Sequence, residues 1–349
     1  MKNLLSFFGK SIGIDLGTAN SLVYVSGRGI VVNEPSIAAV NNKTSQVLAI
    51  GEEAKKMLGR TPQHVNIVRP LINGVISDFE MTEEMLRHFL KRLNGSQFLM
   101  NYKAAVIGVP TNLTEVERKS VEDAVLGAGV ARAYIIEEPL AAALGARLPI
   151  DEPTANMIID IGGGTTEIAI ISMGGTVTSK SLKIAGDKLS DDIMRYIRDE
   201  FKLAIGEPTA EELKISIGSA VVTNEKLDML IRGRDLVTGL PKEVQVKDNH
   251  IRTAINKSLK QIVEAVKEVV EISPPELTGD ILKRGVYLCG GGSMLRGLDK
   301  LLSDSLNVET TIVDDPLTCV VRGTGVAVEN LDKYAQVLDN PLQPRDITT

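Results

Sequence analysis

Two short stretches of this chain set an aspartate in front of bare backbone and side-chain hydroxyls. In SIGIDLGTANSLVYV, from Ser11, Asp15 precedes Gly17, Thr18, Ala19 and Asn20; in MIIDIGGGTTEIAII, from Met157, Asp160 precedes Gly162, Gly163, Gly164, Thr165 and Thr166. Glycine lets backbone approach a ligand with no Cβ in the way, and successive N–H groups in a tight turn form a concave nest suited to phosphate. Taken singly, each turn also reads as a plain hairpin turn, and each aspartate as a residue capping its own backbone. The pair says more, because both follow the order apolar strand, Asp, Gly turn, apolar strand, about one domain length apart. That repetition points to an internal duplication with a cleft between the copies. Two carboxylates converging to 4 Å repel by about 4 kcal/mol at an effective dielectric near 20, so the pair needs a cation or a wider spacing. Mg2+ with its retained waters, held by carboxylates and nucleotide phosphates, meets both demands.

Three further features carry possible chemistry. Gly290, Gly291, Gly292 and Ser293 follow the apolar run VYLC and precede a helical pattern with Leu295, Leu298, Leu301 and Leu302. Bare backbone before a helix start favours an anion or a flat ring lying close. The run is neither GxGxxG nor GxxxxGK[ST], so dinucleotide-fold and P-loop readings fail. Glu138, in EEPLAAALG, stands just before Pro139, where an acid also serves as ordinary helix-start and dipole chemistry. Glu211 and Lys214 are spaced i, i+3, by spacing alone a surface pair worth about 0.2–0.5 kcal/mol.

The elements that must position these groups alternate strand and helix, which makes the fold class α/β. GIVVN, SIAAV, QVLAIG and AAVIGVP read as strands, and MTEEMLRHFLKRL as a helix. In TEVERKSVEDAVLGAG the spacing predicts a helix burying Val116, Val121, Ala124 and Val125. DKLSDDIMRYIRDEF is predicted to start its helix near Ser190 or an Asp, and residues 229–246 form a hairpin turning at TGLP. LTCVVRGTGVAVENL is a last helix returning to the first half, followed by a tail, NPLQPRDITT, expected to be disordered. The chain divides into a first lobe, 1–145 with 320–349 returning, and a second lobe, 146–319.

With 349 residues, 43% of them hydrophobic, the chain is long enough for two cores. Its net charge of −6 argues against a nucleic-acid partner, which calls for a basic surface. Cys289 and Cys319 sit in apolar contexts and read as buried thiols of a reducing compartment. No run approaches the roughly 18–20 apolar residues of a membrane span.

The three loops, together with NEPSIAAV, MLGRTP, RPLINGVISDF, VIGVPTNLTEVERKS, IEEPLAAALGARLPI, KIAGDKLSDDI and VDDPLTCVVRGTG, resemble the phosphate 1, phosphate 2 and adenosine motifs of the actin, Hsp70 and sugar-kinase ATPases. Within that superfamily the chain is similar, over nearly its whole length, to the rod-shape-determining bacterial actins. The resemblance implies an actin-like ATPase fold of two duplicated RNase H-like lobes flanking a nucleotide cleft, each with a smaller subdomain. It further implies that ATP or ADP binds with Mg2+, the metal meeting Asp15 and Asp160 through water. By the same resemblance, Glu138 with Thr165 orients the attacking water, Gly186 and Asp187 face the ribose, and Glu211 and Lys214 lie beside the adenosine. Turnover is expected to be slow, since no arginine finger is recognisable.

The resemblance also implies head-to-tail protofilaments that pair antiparallel through the helix at residues 115–128, and membrane proteins of the cell-wall elongation machinery as partners. From the residues themselves, Met1, Leu4, Leu5 and Phe8 at i, i+3, i+4 and i+7, with Phe7, Lys2 and Lys10, suit a short helix on the inner face of the cytoplasmic membrane. A frayed terminus or strand extension fits the same residues. QFLMNY, at 97–102, lies near the family's membrane loop, which nominates Phe98 and Leu99; packing of Phe98 and Met100 under the preceding helix is the alternative. An Hsp70-type chaperone is expected to carry a substrate domain, and a sugar kinase an acceptor pocket. A plasmid- or organelle-segregating actin shares the loops and the filament, and has no need of the apolar N-terminus.

Overall fold

A computed structural model describes residues 10–94 and 102–338. The amino-terminal residues 1–9, Phe98, Leu99 and the tail after 338 lie outside the described residues. The chain forms two compact units, the first of residues 1–150 and 318–349, the second of residues 151–317.

The sheet of the first unit contains β1 (Ser11–Leu16), β2 (Asn20–Val25), β3 (Gly29–Pro35), β4 (Ala104–Val109) and β5 (Ala133–Glu137), in the order β5-β4-β1-β2-β3. β1, β2 and β3 pair antiparallel, whereas β4 and β5 join parallel to β1. All six residues of β4, AAVIGV, are buried, as a parallel strand covered on both faces requires. On one face lie the helices Phe79–Asn94 and Glu115–Gly127, with Met85, Leu86, Phe89, Val121, Ala124 and Val125 in a common core with Ile12, Ile14 and Ile107. Thr114 begins the second helix with a capping box: its hydroxyl accepts from Glu117 N–H, and the Glu117 carboxylate accepts from Thr114 N–H.

Val116 departs from the reading of that helix, being 76% exposed. At 3.6 residues per turn it points about 130° away from the stripe of Val121, Ala124 and Val125. The returning helix Cys319–Glu329 packs against Glu138–Gly145 with backbone nearly on backbone. A Cβ on Gly323 would lie 1.7 Å from Ala141 O, and one on Gly145 1.9 Å from Cys319 O. A smaller sheet of Ala38–Asn41, Val47–Ile50 and Val65–Val68 completes this unit around Ile37, Ala39, Ala54 and Val65.

The second unit repeats the plan. β6 (Asn156–Ile161), β7 (Thr166–Ser172), β8 (Gly175–Leu182), β9 (Val286–Cys289) and β10 (Thr310–Ile312) run in the order β8-β7-β6-β9-β10. Again three strands pair antiparallel, and two join parallel to the first. β6 and β1 thus hold the same place, which is structural evidence of duplication. The long helix Asp248–Glu271 buries Ile251, Ile255, Leu259, Ile262 and Val266 in this unit's core. A small sheet of Leu203–Ala204, Asp228–Asp235 and Pro241–Lys247 stands apart from the main one. Its hairpin turn is tied by Asp235, whose carboxylate accepts from the N–H groups of Val237 and Thr238.

The helix Gly186–Phe201 starts one residue before Asp187, the first Asp of the predicted segment, and four before Ser190. No side chain caps it. Its first N–H groups are met by another turn: Gly186 donates to Gly162 O (3.1 Å) and Asp187 to Gly163 O (2.8 Å). Such a partner satisfies the orphan donors of a helix start without any local cap residue, so local sequence does not announce it.

Candidate functional site

In the first unit the turn from β1 to β2 is held from outside. Ser36 Oγ donates to Gly17 O at 2.6 Å, and Ser36 N–H donates to Ala19 O at 3.0 Å. Thr18 is buried, and its hydroxyl accepts the Gly74 N–H at 2.9 Å. Asn20 donates to the Asn33 side chain at 2.8 Å. A Cβ on Gly17 would fall 2.7 Å from Asn20 O, so the tight path needs glycine there. Asp15, next to last in β1, is half-buried opposite Leu22. Ser36 and Gly74 are functional supports the sequence reading did not single out; their segments entered only as part of the resemblance.

Glu138 opens the helix that directly follows β5 and is 7% exposed. Glu137 occupies the cap position, and no side chain caps the helix. Glu138 is therefore not the cap residue, while its place in the first turn keeps the helix-dipole reading open beside a role at the site.

In the second unit the predicted residues form one connected network. Gly162 N–H donates to Thr165 O (2.9 Å), and Thr166, fully buried, donates through its hydroxyl to Ile184 O (2.7 Å). Lys214 Nζ donates to Gly186 O (2.8 Å) and to Ser190 Oγ (3.1 Å), and pairs with Glu211 at 2.6 Å. Ser190 in turn donates to Glu211 at 2.7 Å. The Glu211–Lys214 pair is thus more than a surface ion pair, because Lys214 ties its own helix to the helix start at Gly186, whose N–H in turn donates to Gly162 O in the turn that follows Asp160.

The third glycine run lies beside β6. Gly290 has φ of 78°, and a Cβ there would come within 2.3 Å of Asp160 Oδ1. A Cβ on Gly292 would meet Ile161 Cγ2 at 2.3 Å. These two glycines serve close packing against β6, and Gly291 is the exposed member of the run. Buried Ser293 closes the turn by donating to Gly290 O at 2.7 Å.

Asp160 is 7% exposed and stands across the hairpin from Glu167, which is 1% exposed. Burial first, and the Glu167 charge second, push its carboxyl up to about 7, while the Cys289 thiol beside it acts in the opposite direction. Glu167 and Cys289 were missed at the sequence level. The signal was available: Glu167 follows Thr166 at the start of a strand, and the parallel register sets Cys289 level with Asp160. A buried carboxyl held against a second one is a donor set that suits a cation, which would remove the cost of ionising it.

Among the described residues, no helix is long and apolar enough to cross a membrane.

Comparison with known proteins fits this geometry. Residues 9–336 match the MreB/Mbl protein family. The cell shape-determining protein Mbl of Bacillus subtilis is 48% identical over 93% of this chain and 98% of its own length. Crystal structures of MreB5 of Spiroplasma citri superpose with a TM-score of 0.90; the ADP-bound one is 42% identical and covers 94% of this chain and 99% of its own. A second MreB5 structure is bound to AMPPNP, at 41% identity. The MamK double helical filament shares the fold, with a TM-score of 0.78 at 24% identity over 92% of this chain and 98% of that one. With two duplicated α/β sheets and matches of this extent, the chain belongs to the MreB/Mbl family of bacterial actin-like proteins.

Proposed function

We propose that this protein binds and slowly hydrolyses ATP, and that in the ATP state it assembles into membrane-associated filaments that organise cell-wall synthesis and maintain rod shape. The observation that carries the reading is the repeated strand–Asp–Gly turn at equivalent places in two sheets, each braced so that its backbone path is fixed before a ligand arrives. ADP and AMPPNP in the Spiroplasma citri relative support the nucleotide class.

The chemistry follows from the residues. The turns Gly17 to Asn20 and Gly162 to Thr166 take the phosphates, the second through backbone N–H groups beyond Gly162, whose own N–H closes the turn on Thr165 O, with the Thr18 and Thr165 hydroxyls as further partners. Asp15 and Asp160 are the carboxylates that would hold a hydrated Mg2+, which would neutralise charge developing on the phosphates. Glu138 accepts a hydrogen bond from the attacking water, and Thr165 helps to fix its line of approach. Gly186 and Asp187 face the ribose, while Glu211, Lys214 and the exposed Gly291 flank the adenosine. Phosphoryl transfer calls for positioning more than covalent chemistry, which suits a network with no evident nucleophile.

Filaments extend head to tail and pair antiparallel through Glu115–Gly127, where exposed Val116 is available for contact. Residues 1–9 and Phe98 with Leu99 meet the inner face of the cytoplasmic membrane, each weakly, so that an array binds where a single copy does not. Partners include membrane proteins of the cell-wall elongation machinery. Electron microscopy with ATP and anionic vesicles tests the reading: paired filaments on the vesicle surface are expected. ATP-bound protein that stayed monomeric on vesicles at high concentration would sink it.

A further inference from the structure

The helix Glu115–Gly127 has two faces with different surroundings. At 3.6 residues per turn Val116, Lys119 and Asp123 fall within about 60° of one another, and all three are exposed. Val121, Ala124 and Val125 enter the core on the other side. Arg118 lies about 160° from Val116 and one turn before Val121, half-buried on the inner side. There its guanidinium meets the Glu137 carboxylate at 4.0 Å, with 25% and 30% of the two side chains exposed.

Strand alternation puts Glu137 within reach. Ala133 and Ile135 of β5 share a core with Val121 and Val125, and at period two Glu137 faces the same way. The chain then turns with no loop: Glu137 ends β5 and takes the cap position, and Glu138 begins the next helix. A helix start without a side-chain cap takes its place from whatever holds the residue before it. Backbone pairing with Val109 holds Glu137 on one side, and Arg118 holds its carboxylate on the other. The flank of Glu138 is also closed. A Cβ on Gly108 of β4 would lie 3.0 Å from Val320 Cγ1 and 3.6 Å from Glu138 Cγ, so the glutamate stem lies against bare backbone beside Val320. With that side filled, the freedom left to Glu138 is to move together with Glu137. A shift of about 1 Å in a group that orients a reactant costs on the order of 100-fold in rate, so a link one residue away from Glu138 acts on turnover without touching ligand.

We propose that Arg118 is a positioning residue for Glu138, and that through the Arg118–Glu137 pair a second copy of this chain, docked on the outer face of Glu115–Gly127, raises the rate of ATP hydrolysis. The coupling rests on the ATPase and pairing reading above and adds a regulation to it. A helix held from outside by a partner keeps Arg118, and with it the start of the next helix, in one place; an unpaired helix does so less. At 4.0 Å the link is one of charge and longer than a hydrogen bond, so the point charge of a lysine suffices at position 118.

Steady-state phosphate release by the full chain with Mg2+ and ATP, with filaments scored as paired or single by electron microscopy, tests this. Val116→Glu sets a new acid against its own copy in an antiparallel pair. It is expected to leave single filaments and to lower turnover per protomer about tenfold, short of the 100-fold of a full displacement. Arg118→Gln is expected to form paired filaments that turn over at the same lowered rate, with KM for ATP and Tm unchanged. Adding Val116→Glu to it lowers turnover no further. Glu137→Gln matches Arg118→Gln, and the two together fall no further than either alone, because they break one link. Arg118→Lys restores wild-type turnover. Wild-type turnover in Arg118→Gln, or a raised KM and lowered Tm that Arg118→Lys does not correct, overturns the positioning role. Equal turnover in wild-type pairs and Val116→Glu single filaments overturns the coupling alone. Wild type that releases no phosphate overturns the ATPase reading beneath it, and wild type that forms only single filaments overturns the pairing reading.

Discussion

The two phosphate-type turns share strand order, pairing and place, yet their acids live in different surroundings. Asp15 is half-buried and faces aliphatic Leu22 across its hairpin. Asp160 is almost fully buried, faces Glu167, and has its carboxyl pushed up to about 7. Duplication has therefore kept a backbone and changed its electrostatics. The second turn sets two buried carboxyls across one hairpin, which makes ionising Asp160 costly. Bracing differs too: separate strands and loops of its own unit hold the first turn, whereas the second is continuous through Gly186 with a helix and Lys214.

The largest effect expected from this contrast is on turnover. Asp160→Asn should lower phosphate release roughly 100- to 1000-fold, the size typical of losing one preorganised electrostatic group, and Asp15→Asn by less. The reverse ranking would break the comparison. Glu138→Ala should lower phosphate release about 100-fold with nucleotide retained. Equal loss of nucleotide binding and turnover would instead make Glu138 a structural part of its helix.

Stability against pH probes the contrast without ligand. A carboxyl raised in the folded state keeps its proton while the unfolded chain has lost it, so stability should fall as pH rises from about 4 to about 7 and then level off. The fall should be on the order of a few kcal/mol in chemical denaturation. Asp160→Asn should flatten it, and Glu167→Gln should only narrow it, because burial is the larger cause. A curve unchanged by Asp160→Asn would remove the electrostatic difference between the turns. The smallest expected effect concerns bracing: Thr166→Val and Thr18→Val should each cost about 1 kcal/mol, with Thr166→Val the greater since it is fully buried. Thermal melts that ranked them the other way would show the first turn to be the more tightly held.

Much of this was legible because the period of the sequence carries it. AAVIGVP reads as a buried strand and is one, and the two Asp–Gly hairpins announced the repeated sheet. Features that depend on partners distant in sequence were not legible. The start of the helix at Gly186 is fixed by carbonyls more than twenty residues earlier, so local sequence offered Ser190 or an Asp without choosing between them. Glu167 reads as a polar strand residue until register sets it opposite Asp160. Gly290 and Gly292 suggested ligand approach, and the structure adds a second reason for glycine there, since a side chain would meet Asp160 and Ile161. Val116 entered the predicted buried stripe with Val121, Ala124 and Val125, and helical geometry turns it to the surface.

The close seat of Cys319–Glu329 on Glu138–Gly145 bears on how the protein is made. Gly145 and Gly323 bring two backbones together where any side chain would collide, and the second partner belongs to a segment translated after the whole of residues 151–317. On the ribosome the second unit has all its strands before the first can close. The first must wait with the groove beside Gly145 open, so a chain stalled short of residue 318 holds one finished unit and one still lacking its last helix.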